Sequence, residues 1–174
     1  GYFLTGDIAH WLPDGSLQII DRKKNLFKLA QGEYVSPENL EQEYNKCKLV
    51  GQIFVYGNSL ESTLLAVVVP DIHSAKTWAT ENATGVTEVS AIAALPAFKK
   101  AVLAELAEMC VTAKFKRYEE IKNIVIETSD LNEMGMGFHV DNDLMTPSFK
   151  LKRPQLAKKY KTALEALYAS KNGK

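Results

Sequence analysis

The residues best suited to chemistry lie near the end of the chain, where a short segment combines turn residues with three cations. Lys150, Lys152 and Arg153 follow a Pro-Ser pair and stand at the start of a predicted terminal helix. Cations at a helix N-terminus oppose the helix dipole at a cost of roughly 0.3–1 kcal/mol each, and a locally unfavourable pattern is typical of functional sites. The segment therefore suits a phosphate or carboxylate ligand, and a solvated charged face is the equally open alternative.

A second segment, residues 21–37, leads from a polar run of one acid and three cations into a predicted helix. Gly32 predicts a turn in which another molecule can approach the backbone closely. Ser36, Pro37 and Glu38 predict the start of the helix, as N-cap, first helical residue and first-turn acid. On composition alone, the segment is a charged linker followed by a strand, a turn and a capped helix.

Near the N-terminus, Thr5, Gly6 and Asp7 are a weak signal by themselves, because the same residues form ordinary turns. An ionised Asp7 is a hydrogen-bond acceptor only, which suits a pair of neighbouring hydroxyl groups.

Taken together, the three segments resemble the C-terminal region of long-chain fatty acyl-CoA synthetases, in the adenylate-forming (AMP-binding) superfamily. The resemblance rests on residues 1–7, 21–37 and 146–154, the last reading Thr-Pro-Ser-Phe-Lys-Leu-Lys-Arg-Pro. It implies that Lys150 is the adenylation lysine, which bridges the α-phosphate of ATP and the carboxylate of the fatty acid. It also implies that Asp7, in a motif that includes Tyr2, holds the ribose hydroxyl groups of ATP.

The resemblance assigns further roles to the second segment. Arg22 would contact ribose or phosphate oxygens of ATP, and Lys24 would be the hinge about which a C-terminal domain rotates. After rotation, the channel for the pantetheine arm of CoA would be lined by Gly32, Glu33 and Tyr34, with Lys28, a family lysine of variable role, beside them.

The bulk composition excludes several other classes of function. The chain has 174 residues, 46% of them hydrophobic, and 21 basic residues balance 21 acidic ones, so a strong attraction for nucleic acid is not expected. The two cysteines and three histidines lack metal-ligand spacing, and we expect no metal site. With no signal peptide and no apolar run long enough to span a bilayer, the expected location is the cytoplasm or the cytoplasmic face of an organelle membrane.

The chain as a whole predicts an α+β fold. We expect a small mixed or antiparallel sheet of three to four strands with about five helices, preceded by a β-hairpin that belongs to a larger domain. Residues 128–148 show no clean period and predict a long loop, and Trp11 and Trp78 are expected in the core. The predicted elements are a hairpin at 8–20, strands at 26–29, 52–56, 63–69 and 123–127, and helices at 37–48, 72–82, 88–94, 96–112 and 153–170.

The resemblance divides the chain at the linker. Residues 1–22 would end a large adenylation domain and residues 23–174 would form a mobile C-terminal domain. The implied reaction joins fatty acid and ATP into an acyl-adenylate, which CoA then converts to a thioester; Mg²⁺ would be bound by the large domain, and the chain alone would be inactive. Peripheral association of the complete enzyme with a membrane is a further expectation. Two alternatives stay open: another adenylate-forming enzyme, such as an acyl-AMP ligase or a luciferase-like enzyme, and a noncatalytic interaction module.

Overall fold

The structure, a computed structural model, describes residues 2–23 and 25–172, without the side chains of residues 21, 22, 171 and 172. The strands are β1 (Asp7–Trp11), β2 (Leu17–Arg22), β3 (Phe27–Lys28), β4 (Tyr34–Val35), β5 (Val50–Tyr56), β6 (Leu64–Pro70) and β7 (Ile121–Ile126). The α-helices are α1 (Pro37–Tyr44), α2 (Ile72–Glu81), α3 (Val89–Ala93), α4 (Pro96–Thr112), α5 (Arg153–Lys159) and α6 (Lys161–Asn172), and a 3₁₀ turn covers Arg117–Glu119.

A three-stranded sheet in the order β5-β6-β7 forms the centre of the fold. β5 pairs with β6 antiparallel and β6 pairs with β7 parallel. Every residue of β6 is buried, as expected for a continuously apolar strand covered on both faces. Alternate residues point to opposite faces: Val68 belongs to one apolar cluster, while Val67 and Val69 belong to another. The mixed sheet and the flanking helices confirm the predicted α+β class.

One face of the sheet is covered by the helices that precede β7. Buried residues of α1 and α4, among them Leu40, Tyr44 and Phe98, pack in one cluster with the β6 side chains. Trp78 contacts Phe98 edge to face, with ring centroids 5.1 Å apart. The expectation of a core position is thus correct for Trp78, but it is wrong for Trp11, which is 73% exposed on the hairpin of β1 and β2.

The other face is covered by α5, α6 and the long loop between β7 and α5. Phe138, Leu144 and Met145 of this loop are buried in the same cluster as Leu156 and Leu164. The loop is also fixed by polar contacts. The side-chain amide of Gln52 donates to Phe138 O and accepts from Phe138 N–H, both at 2.8 Å, as a neighbouring strand would.

Several predicted boundaries are wrong in detail. α1 ends at Tyr44 instead of Lys48, and the terminal helix is interrupted at Tyr160. Ser36 occupies the N-cap position, but it makes no side-chain capping bond; its hydroxyl donates to Ile20 O at 3.4 Å. β2 continues to Arg22, so the polar run begins inside a strand because its backbone pairs with β1.

Candidate functional site

Residues 146–150, which we call the Lys150 loop, form a tight turn held by its own hydrogen bonds. Thr146 N–H donates to Lys150 O at 2.8 Å, and Phe149 N–H donates to Thr146 O at 2.9 Å. Lys150 N–H donates to Thr146 Oγ1 at 3.1 Å. Pro147 takes the second position of the turn, where its fixed φ is favourable. The backbone of Lys150 is therefore held at both its N–H and its C=O, while its side chain is exposed.

The three cations predicted as one cluster have different surroundings. Lys152 forms an exposed ion pair with Asp143, and Arg153 forms an ion pair with Glu41 that is largely shielded from solvent. Among the described residues, Lys150 has no ion-pair partner. Lys152 and Arg153 thus make ion pairs within the chain, which distinguishes them from Lys150.

Glu41 is a site residue that the sequence analysis missed. Its carboxylate is buried, accepts from Val55 N–H at 2.7 Å and pairs with Arg153; the guanidinium lies 5.7 Å from the centre of the Phe54 ring. Burial raises the pKa of Glu41 to about 7, although the attraction of Arg153 opposes the shift. The available signal was its place on α1, in line with the apolar residues Leu40 and Tyr44.

A pocket of about 330 Å³ separates the Lys150 loop from α1. Its exposed lining residues are Glu38, Gln42, Asn45, Gly51, Phe149 and Lys150. Its polar wall is formed by Glu38, Glu41, Gln42, Asn45, Gln52, Lys150 and Arg153. The pocket thus has both carboxylates and cations in its wall, and the exposed cation at its edge is Lys150.

The second predicted surface is the turn between β3 and β4, residues 28–34, which we call the Gly32 turn. Leu29 N–H donates to Glu33 O at 2.8 Å. Gly32 has φ +94°, and a Cβ added there would meet only Lys28 Cε at 3.7 Å, so glycine is needed for the backbone conformation more than for space. Lys28 lies with its ammonium 5.8 Å from the centre of the exposed Tyr34 ring. Lys28 and residues 32–34 are all exposed.

The two surfaces lie near opposite ends of β5. Gly51 and Gln52, at the start of the strand, line the pocket beside the Lys150 loop. The Gly32 turn is tethered beyond its end, where Ala30 N–H donates to Glu61 O at 3.0 Å. None of residues 28–34 is among the residues that line the pocket beside the Lys150 loop.

The N-terminal site residues lie on and before the hairpin. Asp7 and Arg22 are direct partners in the register of β1 and β2, and Asp7 N–H donates to Thr5 Oγ1 at 3.2 Å. Tyr2 is fully exposed. The predicted hinge, Lys24, falls outside the described residues. Within the part of the chain that the structure describes, no group of His, Cys, Asp and Glu is placed to hold a metal ion, and no helix is long and apolar enough to cross a membrane.

Curated proteins with similar sequences include long-chain acyl-CoA synthetases. The chain is 45% identical over 169 residues to long chain acyl-CoA synthetase 2 of Arabidopsis thaliana, which covers 97% of this chain and 24% of that protein. It is 41% identical over 171 residues to long-chain-fatty-acid–CoA ligase 5 of Rattus norvegicus, with 98% and 24% covered. The chain thus spans about a quarter of the length of these relatives. No protein-family model matches it.

Solved structures with this fold include adenylation domains. The adenylation domain of a carboxylate reductase from Mycobacterium chelonae superposes with a TM-score of 0.78 at 37% identity, over 95% of this chain and 23% of that one. The corresponding domain from Segniliparus rugosus, in complex with AMP and a carboxylic acid, gives a TM-score of 0.75 at 32% identity, over 95% and 23%. The fold is shared with adenylation domains, and by sequence this chain belongs to the long-chain acyl-CoA synthetases, as a segment about a quarter of their length.

Proposed function

We propose that this chain is the mobile C-terminal domain of a long-chain fatty acid–CoA ligase and that Lys150 is its adenylation lysine. The observation that carries the proposal is the difference among the three cations. Lys152 and Arg153 are paired, whereas Lys150 is exposed on a turn with a fixed backbone and makes no ion pair with the residues that the structure describes. A cation presented in this way needs little rearrangement before it meets an anion.

In the first step, a carboxylate oxygen of the fatty acid attacks the α-phosphorus of ATP, and pyrophosphate leaves. Negative charge builds on the α-phosphate oxygens as the new bond forms. The ammonium group of Lys150 would bind these oxygens together with the carboxylate and stabilise that charge. A preorganised donor of this kind is worth about 3–4 kcal/mol, or roughly 10²–10³ in rate.

In the second step, the thiol of CoA attacks the acyl carbon, and AMP leaves. We assign this step to the Gly32 turn, where Gly32, Glu33 and Tyr34 would contact the pantetheine arm and Lys28 would lie beside it. The support is that this surface is exposed and that none of its residues lines the pocket beside Lys150. Residues 23–174 would present the two surfaces to the large domain one after the other by rotating. Lys24 would be the hinge of this rotation.

The hairpin would complete the nucleotide site. Asp7 would accept the ribose hydroxyls, Arg22 would contact ribose or phosphate oxygens, and Tyr2 would lie beside them. Residues 1–22 would belong with a large N-terminal domain, which is the principal partner of residues 23–174. That domain would bind Mg²⁺, since the described residues of this chain offer no metal site. Peripheral membrane association and a cytoplasmic location, free or at an organelle surface, belong to the same proposal.

The test uses the complete enzyme with Lys150→Ala and, as a matched control, Lys158→Ala on the exposed face of α5. With ATP and fatty acid, we expect the Lys150 variant to release pyrophosphate about 10²–10³-fold more slowly. Thioester formation from supplied acyl-adenylate should stay within about threefold, because that step does not use this lysine. The Lys158 variant should match the wild type in both assays, and an equal loss by Lys150→Ala in the two steps would show that the assignment is wrong.

A further inference from the structure

Phe149 is an exception among the residues with a left-handed backbone. In the described part of the chain, four non-glycine residues have positive φ: Ala83, Lys114, Asp143 and Phe149. Ala83 and Lys114 directly follow the ends of α2 and α4, where such a residue terminates a helix. Asp143 is short and polar, and residues of this type tolerate the conformation. Phe149, at φ +58°, is an aromatic residue that ends no helix.

The same side chain is also largely exposed to solvent. Phe149 is 72% exposed at the edge of the pocket beside the Lys150 loop. A glycine or asparagine would form the same turn with less strain, and neither would expose an apolar ring. Considering only the described residues, the positive φ of Phe149 and the exposure of its ring are both unfavourable for folding. We therefore look for a favourable contact of the Phe149 ring with a group outside residues 23–174.

The backbone of the turn shows where that contact lies. Lys150 is fixed to Thr146 through both its N–H and its C=O, and Phe149 N–H is fixed to Thr146 O. Phe149 and Lys150 are carried by the same turn and both line the same pocket, so a ligand that meets Lys150 from this pocket also lies beside Phe149. In the proposed first step, that ligand is the acyl-adenylate, whose acyl–phosphate bond is open to attack by water.

We propose that Phe149 covers the acyl-adenylate on the side of Lys150 and keeps water from its acyl–phosphate bond. This inference rests on the proposed function of Lys150. Excluding water also strengthens the attraction between the ammonium and the phosphate. In the reaction that the ring would prevent, a water oxygen attacks the acyl carbon, the bond from that carbon to the phosphate oxygen breaks, and free fatty acid and AMP are released.

The experiment compares Phe149→Gly and Phe149→Leu with the wild type of the complete enzyme. The readout is the AMP released without CoA, divided by the acyl-CoA formed when CoA is added. We expect Phe149→Gly to raise this ratio by roughly tenfold, because water reaches the adenylate. Phe149→Leu should stay within about threefold of the wild type, since it keeps an apolar cover.

A second readout separates this role from a structural one. In the 174-residue chain, Phe149→Gly should leave the melting temperature unchanged or raise it by up to about 3 °C, since glycine adopts the left-handed conformation freely. A ratio equal to that of the wild type in Phe149→Gly would overturn the inference. So would a parallel loss of both products, which would show that Phe149 only shapes the turn for Lys150.

A contact with lipid is another outcome that would overturn the inference. Phe149→Gly would then reduce binding of the complete enzyme to vesicles of anionic phospholipid, while the product ratio in detergent micelles would be unchanged. The proposed function fails in a different way, namely if the wild-type enzyme releases no pyrophosphate from ATP and fatty acid. The inference about Phe149 is tested only against an active wild type, so the two failures are distinguishable.

Discussion

The Lys150 loop and the Gly32 turn are attached to the lobe in different ways. Behind the Lys150 loop, Arg153 is tied to Glu41, and Glu41 is tied to the backbone of β5 at Val55 N–H. The Gly32 turn has no buried polar anchor of this kind among the described residues. Its tethers are a backbone bond from Ala30 to Glu61 and a longer one from the Gln31 side chain to Ser62 O at 3.3 Å.

This difference matches the two tasks proposed for them. A point charge that stabilises a transition state must be held within a fraction of an ångström of its place. A surface along which a flexible pantetheine arm slides needs free backbone and little obstruction. α1 connects the two, because it begins directly after β4 and carries Glu41 to the pocket.

Removing Glu41 should produce the largest change, because it breaks the anchor that only the Lys150 loop has. Glu41→Ala leaves the guanidinium of Arg153 poorly solvated and unpaired, which costs about 3–5 kcal/mol in a buried setting. We expect the free energy of unfolding of the 174-residue chain to fall by that amount in denaturant titration. The double variant Glu41→Leu/Arg153→Met is the control, since it replaces the pair with apolar groups and should recover most of the loss. A loss below about 1 kcal/mol in Glu41→Ala would contradict the anchoring role.

A change at Gly32 should impair the second step of the reaction and spare the first. Gly32→Val places a β-branched residue at φ +94°, which strains the turn and narrows the surface beside Lys28. In the complete enzyme, we expect thioester formation from supplied acyl-adenylate to fall about 10–100-fold, with pyrophosphate release within about threefold of the wild type. Lys158→Ala, at an exposed position of α5, is the control and should change neither step by more than about threefold. If pyrophosphate release fell as far as thioester formation, the two surfaces would not be separate.

The pH dependence of stability should report the burial of Glu41, which favours the protonated carboxyl group despite the attraction of Arg153. The pKa of Glu41 is about 7 in the folded chain and near 4.5 when it is unfolded. The folded state therefore binds the proton more tightly, so the contribution of Glu41 to stability is greatest below pH 4.5 and is lost as the pH rises through 7. Between pH 5.5 and 8, we expect the wild type to lose about 2 kcal/mol relative to Glu41→Gln. Parallel pH profiles for the two proteins would show that Glu41 does not titrate in this range.

The contrast between the two regions also shows what could be predicted from sequence. The Gly32 turn, the helix start at Pro37 and the buried β6 all follow from local signals, which are glycine, proline and a continuous apolar run. The exposure of Lys150 could be predicted from local signals as well. The anchors are not, because Arg153 meets Glu41 across 112 residues and Gln52 meets Phe138 across 86. No spacing rule connects residues so far apart, so the packed loop 128–148 and the pairing of two of the three cations could not be predicted.

The interruption of the terminal helix has a similar explanation. Tyr160 has no glycine or proline beside it to predict the break between α5 and α6. It is buried against Phe138, with ring centroids 6.2 Å apart. Because Phe138 comes from the long loop, the break belongs to tertiary packing, which overrides local helix propensity.

The smallest expected effect tests whether the fixed backbone of Lys150 matters for the first step. Thr146→Val keeps the shape of the side chain but removes Oγ1, which accepts the Lys150 N–H. A lost hydrogen bond of this kind costs about 1 kcal/mol, so we expect pyrophosphate release to fall about three- to fivefold and thioester formation from supplied acyl-adenylate to stay unchanged. Ser148→Ala is the control, because it removes only the hydroxyl 3.0 Å from Thr146 Oγ1 and leaves the bond to Lys150 intact. Pyrophosphate release by Thr146→Val at the rate of the wild type would mean that exposure of the ammonium is enough and that the fixed backbone contributes nothing to the rate.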